Sequence, residues 1–325
     1  SATGAMIAGD NAYRVVTNTG SIGFGQEYNP TTFSGYEKNI SLFFAASMKT
    51  APAVGAAGGA RSTDTWRDSS GDNGQGWIGQ KVTLPPGQDV EVSFVIVGGF
   101  ERPAGRDAFA GINGPGVFNT QMRQAIEWFH NGNPSDWQAQ TDTYWQNFLN
   151  SGVLVNTPDA SINALFRRGL LGTMLHFDER NGGLIAGFRN GAYPYVWPRD
   201  MAWAGVTLAR TGHNEVVRSM TRFLRDITYR DFENWTGANT PGFAAAGGSP
   251  FFGSRKGFWK QKYTTDGYTV WGAPQVDETA VIPWMVYYNF LVEGDTSYLT
   301  ESHPANPANS TYAIVFDAAI AMSQT

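Results

Sequence analysis

The densest chemistry in the chain lies in Tyr193-Pro194-Tyr195-Val196-Trp197-Pro198-Arg199-Asp200. Tyrosines, a tryptophan, an arginine and an aspartate meet where a Gly-rich loop gives way to a helix. A carboxylate such as Asp200 can accept hydrogen bonds from adjacent hydroxyls of a pyranose ring. Arg199 offers a fork of donors to ring hydroxyls while holding a carboxylate in place. The faces of Tyr193 and Trp197 can wall a sugar pocket, because the apolar C–H faces of sugars stack on aromatic rings. The same residues also fit a plain helix start, with Asp200 a first-turn acid favoured by the helix dipole and Arg199 its surface partner.

A second segment has the same character: Val270-Trp271-Gly272-Ala273-Pro274-Gln275-Val276-Asp277-Glu278-Thr279-Ala280. Trp271, Gln275 and Asp277 again bring aromatic, amide and carboxylate groups to a loop-to-helix junction. Taken alone, Asp277 reads equally as an N-cap and Glu278 as another first-turn acid. Two such junctions, both aromatic and acidic, favour a site.

The elements that must position these residues change character along the chain. The first hundred residues read as β, with strand-like runs at Ser41–Ala46 and Lys81–Leu84 between Gly, Pro, Asn and Asp clusters. The strongest is Val90–Val97, whose Val90, Val92, Phe94 and Ile96 share one face, as in a buried sandwich strand. Pro85-Pro86-Gly87 before it signals a turn. From about Pro103 the period becomes helical, over Gln121–His130 and Asp136–Asn150. Asp159 then caps a helix marked by Ile162, Leu165, Phe166, Leu170, Met174 and Leu175. After a Gly-rich loop from Asn181 to Ala192, a helix runs from about Arg199 to Gly212. Asn214 caps the next, with Val216, Val217, Met220, Leu224 and Ile227 on its face. Arg230–Pro274 reads as a long irregular stretch carrying Trp235, Phe251, Phe252, Phe258 and Trp259, and structureless loops longer than about 15 residues are usually functional or disordered. Glu278–Glu293 and Tyr312–Ser323 read as helices.

Composition narrows the function classes. Hydrophobic residues make up 42% of the 325 residues, enough for a sizeable core. Charged residues are 16%, against roughly 25% in typical soluble proteins, and the net charge is -5 with no basic block. Nucleic acid is therefore not an expected partner. No apolar run approaches the roughly 20 residues that span a bilayer. With no cysteine, disulfides, thiolate metal sites and cysteine nucleophiles are excluded. The 14% aromatic content, including 11 Trp, together with low charge, suits a secreted or periplasmic carbohydrate-active protein. The chain begins at Ser1 without an initiator Met, so a removed leader or a longer parent is expected.

Taken together, the two segments resemble glycoside hydrolase family fifteen, the glucoamylases and glucodextranases. That family carries a Trp-x-Arg-Asp signature with tyrosines before it, matched by Tyr193, Trp197, Arg199 and Asp200. It also carries a Trp-Gly-x-Pro-Gln-x-Asp-x-x-Ala segment or a Gln-Leu-Asp-Glu-Thr-Ala variant, and Trp271, Gly272, Pro274, Gln275, Asp277, Glu278, Thr279 and Ala280 satisfy both forms. The resemblance implies an α+β multidomain chain: a β-sandwich portion over 1–102, linker helices over 103–156, and over 157–325 the first part of an (α/α)6 catalytic barrel. It implies that Arg199 and Asp200 grip the nonreducing-end sugar, that Tyr193 lines that subsite, and that Trp271 packs near the catalytic acid. Gln275 and Asp277 would position the pocket. The implied activity is exo-acting, inverting hydrolysis of α-1,4- or α-1,6-linked glucosides, with one carboxylic acid protonating the leaving oxygen and a distant carboxylate activating water.

In the family the general acid lies in a Trp-Glu-Glu segment after the second motif, and the general base much further on. Both are expected beyond Thr325, so the catalytic residues are not assigned within the chain, and a second polypeptide completing the barrel is an expected partner beside an α-glucan or oligosaccharide substrate. Glu293 and Glu301 lack the Trp and Arg context of a catalytic acid. Asp178 and Glu179 read as a helix-end pair, and the four His, among them His130, His176 and His213, show no metal-ligand spacing. No cofactor is expected; calcium occurs in some family members, but no ligand cluster indicates it. Two other readings stand beside hydrolysis. One is another six-hairpin enzyme, trehalase-like, a phosphorylase or a polysaccharide lyase. The other is a non-catalytic sugar-binding relative.

Overall fold

The computed structural model describes residues 2–7, 12–19, 40–48, 53–56, 76–79, 83–101, 124–125, 128–129, 131–188, 193–233, 257–267, 269–271 and 275–323. Among these, the residues before Thr143 form one compact unit and those from Thr143 onward a second.

In the first unit, β1 (Ala2–Ile7), β2 (Ala12–Thr19), β3 (Ile40–Met48) and β6 (Phe94–Glu101) make a four-stranded antiparallel sheet in the order β1-β2-β3-β6. β4 (Ala53–Ala56) and β5 (Gly76–Gly79) form a separate antiparallel pair. The expected strand Ser41–Ala46 lies inside β3. The expected strand Val90–Val97 does not begin until Phe94, and Val90, Val92 and Phe94 are exposed. The pairing of β3 with β6 runs as far as Met48 opposite Phe94, and residues 90–93 have no neighbouring strand among the described residues. Thr83 and Leu84, the described end of the expected strand Lys81–Leu84, also lie outside any strand. Pro85-Pro86-Gly87 forms the expected turn, closed by Gln88 N–H donating to Pro85 O at 3.2 Å with Gly87 at φ 74°.

Helix α1 (Pro134–Ser151) crosses the boundary between the units. Of the expected Gln121–His130 helix, the described residues Gln124, Ala125, Trp128 and Phe129 are helical, and His130 lies outside the described residues. Helix α2 (Ala160–Met174) starts where expected. Asp159 caps it, accepting from Ser161 N–H at 2.8 Å. Its apolar spacing is not its buried face, however: Leu170 and Met174 are buried, whereas Ile162, Leu165 and Leu175 are exposed.

Helix α3 (Pro198–Arg210) opens on Pro198, whose missing N–H is not needed there, and ends on a tight turn through Gly212 at φ 83°. Helix α4 (Asn214–Glu233) follows; Asn214, expected as its cap, is its first helical residue, and of the expected face Val217, Met220, Leu224 and Ile227 are fully buried while Val216 is half-buried. Helix α5 (Val276–Glu293) lies against α3. Arg199 meets Glu278, and a Cβ added at Gly205 would touch Met285, so residue numbers rise together and the two helices run parallel. Helix α4 runs the other way, since Arg218 near its start bonds Glu293 at the end of α5. A one-turn helix α6 (Ser297–Thr300) leads to the small antiparallel pair β9 (Ser302–His303) and β10 (Asn306–Ser310) and then to helix α7 (Thr311–Ser323). Helix α7 packs on α5 and α4, with Ile314, Ala318 and Ala321 buried. The outer faces of α3 and α5 remain exposed and aromatic: Trp203 and Trp284 meet edge-on with centroids 4.9 Å apart, and Tyr287 continues the stripe.

The expected irregular stretch Arg230–Pro274 is corrected in part. Helix α4 extends to Glu233, and β7 (Lys262–Tyr263) pairs with β8 (Thr269–Trp271). Phe258 and Trp259, read as part of that irregular stretch, are fully buried core residues, with Trp259 Nε1–H donating to Leu224 O. Trp235, Phe251 and Phe252 lie outside the described residues. Among the described residues no helix is long and apolar enough to cross a membrane.

Candidate functional site

The site grows from the meeting of two helix starts. The first N–H groups of a helix lack partners within it. Trp197 at the N-cap of α3 supplies no side-chain cap, and neither does Gln275 at that of α5. Glu278, from the first turn of α5, fills the gap across the interface: its Oε2 accepts from Arg199 N–H at 2.6 Å. Asp277, expected as a possible N-cap, is instead a first-turn residue two positions after the N-cap Gln275 and turns to Arg199.

Arg199 therefore joins both segments that the sequence singles out. Its Nη1 donates to Asp277 Oδ2 at 2.6 Å and to Gln275 Oε1 at 3.4 Å. Its Nη2 lies 3.6 Å from Asp200 Oδ2 and 3.4 Å from Glu278 Oε1. Burial would lower the Arg199 pKa, but the Asp277 hydrogen bond and the charges of Glu278, Asp277 and Asp200 outweigh it and hold the guanidinium charged. The same bond to Arg199 keeps the Asp277 carboxyl below its ordinary value despite some burial. Glu278 is the opposite case. Its side chain is 0% exposed, and burial pushes its carboxyl up to about 7 against the pull of Arg199. Its Oε1, although near the guanidinium, has no hydrogen-bond partner among the described residues.

A second layer of contacts holds residues 193–200 in place. Val196 and Tyr263 exchange backbone hydrogen bonds at 2.8 and 2.9 Å, and Ala186 N–H donates to Tyr195 O at 2.9 Å. Tyr195, Val196 and Tyr263 are fully buried, so the peptide leading into Arg199 is fixed on both sides. Lys262 Nζ sits 4.4 Å from the Trp197 ring centroid and Arg199 Cζ 5.7 Å from it, so this indole serves two cations.

Beside this network, a cleft of about 440 Å³ opens between α2, the loop at residues 184–186 and α3. That volume falls within the roughly 300–1,000 Å³ of small-molecule sites. Gly169, Gly172 and Ala204 leave the space, and Thr173, His176, Asp200 and Trp203 supply polar and aromatic groups. Asp200 is 44% exposed here and Trp203 56%. His176 Nδ1 lies 2.7 Å from Gly172 O and so carries the ring proton, leaving Nε2 as an acceptor in the neutral ring. A carboxylate, an imidazole and an open indole around one cleft can bind hydroxyls and stack on an apolar ring face.

Of the sequence-expected residues, Trp197, Arg199, Asp200, Gln275 and Asp277 come together, but only Asp200 lines the cleft. Tyr193 is 51% exposed and accepts, through its carbonyl, from Gly187 N–H at 3.0 Å. Trp271 belongs to β8, where it pairs with Lys262. Sequence reasoning missed His176, Trp203 and Lys262 as members of the site. Trp203 stands four residues after Arg199, one turn along α3, and that spacing was the available signal. Elsewhere the acids have structural partners: Glu293 with Arg218, Glu301 with Arg222, and Asp178 with Arg180 and Asn181. Comparison with protein-family models gives no match, and neither does comparison with curated proteins.

Proposed function

We propose that this chain carries the nonreducing-end sugar site of an exo-acting, inverting hydrolase of α-linked glucosides. The observation that carries the reading is the convergence on Arg199. Two segments 76 to 79 positions apart, each aromatic and acidic, meet at one guanidinium, with Asp200 directed to an open cleft. In this reading Asp200 accepts from adjacent hydroxyls of the terminal glucose, and Trp203 stacks on its apolar face. Arg199 donates through what its acidic partners leave free, and Gln275 and Asp277 hold it in register. Trp197 lies against Arg199, and in this reading Tyr193 and Trp271 belong to the sugar-binding segments on either side of it. The parallel pair α3 and α5, with α4 and α7 packed on one side and exposed aromatics on the other, supports reading these helices as part of an (α/α)6 barrel. The antiparallel sheet of the first unit is consistent with a β-sandwich portion.

The test is incubation of the chain, together with the second polypeptide expected to carry the acid and base, with maltotriose and with isomaltotriose, followed by proton NMR of the anomeric signals. Early release of β-glucose supports inverting exo-hydrolysis. Tight binding without cleavage overturns the hydrolase part and leaves a sugar-binding protein. A requirement for phosphate, or an unsaturated product, moves the activity to a phosphorylase or a lyase.

A further inference from the structure

Glu278 has no direct route to a ligand, because its side chain is 0% exposed. Its geometry is nevertheless bound to the group expected to touch one. It bridges the starts of two parallel helices: Oε2 takes the otherwise unpaired Arg199 N–H at 2.6 Å, and Oε1 faces Arg199 Nη2 at 3.4 Å with no hydrogen-bond donor of its own. The charged groups facing it are Arg199 and Asp200 on α3 and Asp277 on its own helix. Of the other elements around α5, the segment before it brings Lys262, stationed over Trp197. Helix α4 brings Arg225 and Asp226, which pair with each other at 2.7 Å. Helix α7 brings Asp317, whose backbone lies beside Gly257.

Two forces compete at this carboxyl. Two helix N-termini and a guanidinium favour the ionised form, while burial disfavours it. Adding a proton removes the fully buried negative charge that Arg199 contacts among the described residues and leaves its pull to the exposed Asp200 and Asp277. We propose that Glu278 is a positioning residue: ionised, it holds Arg199 in the sugar-binding pose, and taking up a proton releases the guanidinium and weakens the site. This rests on the proposed sugar site, which it deepens with a pH dependence. Burial sets the balance of the carboxyl at about 7, so the switch falls in the neutral range.

The experiment has two readouts on the full chain. In the first, NMR of arginine labelled with nitrogen-15 follows the Arg199 Nε–H signal, assigned by its loss in Arg199→Lys, from pH 5 to 8.5. An inflection near neutral pH is expected in the wild type and none in Glu278→Gln, which keeps an acceptor for the Arg199 N–H but cannot ionise. In the second, calorimetry measures maltotriose affinity over the same range. The wild-type affinity is expected to fall about tenfold from pH 8 to pH 5.5, the linkage equivalent of one pKa unit, and the variant to show no slope. A flat Arg199 signal in the wild type overturns the proposal without recourse to any variant. So does an inflection that survives in Glu278→Gln, or an affinity independent of pH. If maltotriose does not bind at any pH, the sugar-site reading fails, and the Arg199 signal alone then decides whether Glu278 controls the guanidinium.

Discussion

Replacing Glu278 with Gln makes the protonation argument quantitative without any ligand. In the folded chain the carboxyl is held at about 7, against an ordinary value of 4.5. That shift corresponds to about 3 kcal/mol between the two protonation states. Below the ordinary value both the folded and unfolded chains carry the proton, and burial adds no pH dependence. Between 4.5 and about 7 the unfolded chain ionises while the folded chain keeps its proton, so stability falls as pH rises. Above about 7 the full cost of burying the charge is present. The Gln variant never ionises and lacks this slope. The quantity to measure is the stability of the wild type minus that of the variant, at pH 5 and again at pH 8, by urea unfolding with tryptophan fluorescence. Any constant effect of the substitution cancels in the comparison. The wild type is expected to lose about 3 kcal/mol relative to the variant between the two pH values, or roughly 6–12 °C in thermal midpoint for a unit of this size. A difference that stays constant within about 0.5 kcal/mol would show that Glu278 is not held protonated by burial, and the reasoning would fail.

Two further substitutions test the scaffold away from the cleft. Arg218→Met removes the partner of Glu293 and Asp295 and a cation over the Tyr298 ring at 5.4 Å. It is expected to destabilise the second unit by about 2–4 kcal/mol while leaving maltotriose affinity unchanged, as read by urea unfolding and calorimetry. Gly182→Ala places a Cβ in collision with Ser219 O at φ 84°, where neither the backbone nor the neighbour can yield easily. A loss of about 2 kcal/mol or more is expected in the same unfolding assay.

The parts of this fold legible in the sequence are those set by local chemistry. Asp159 announced α2, Gly212 ended α3, and the spacing of Val217, Met220, Leu224 and Ile227 gave the buried face of α4. What failed depended on partners remote in sequence. Val90 and Val92 alternate like strand residues, yet the pairing with β3 reaches only Phe94 among the described residues. Ile162 and Leu165 have helical spacing, yet they are exposed. Phe258 and Trp259 sit in a Gly-rich stretch, yet they fill the core between α4 and α5. The site was legible as two segments, but not as a network. Nothing in the sequence says that Glu278 would cap the neighbouring helix, or that its burial would set it apart from Asp277 one residue earlier. That difference arises because consecutive helix positions point about 100° apart, one into the interface and one toward solvent.

In the proposed site Asp200, backed by Arg199, grips a terminal glucose. Calorimetric titration of maltotriose into the wild type and into Asp200→Asn tests it most directly. The variant keeps the shape of the side chain and removes the charge that strengthens bonds from sugar hydroxyls, a loss of about 1.5–3 kcal/mol, so the wild type should bind one maltotriose and the variant at least about tenfold more weakly with an unchanged thermal midpoint. Equal affinities, or no binding to the wild type, would contradict the account.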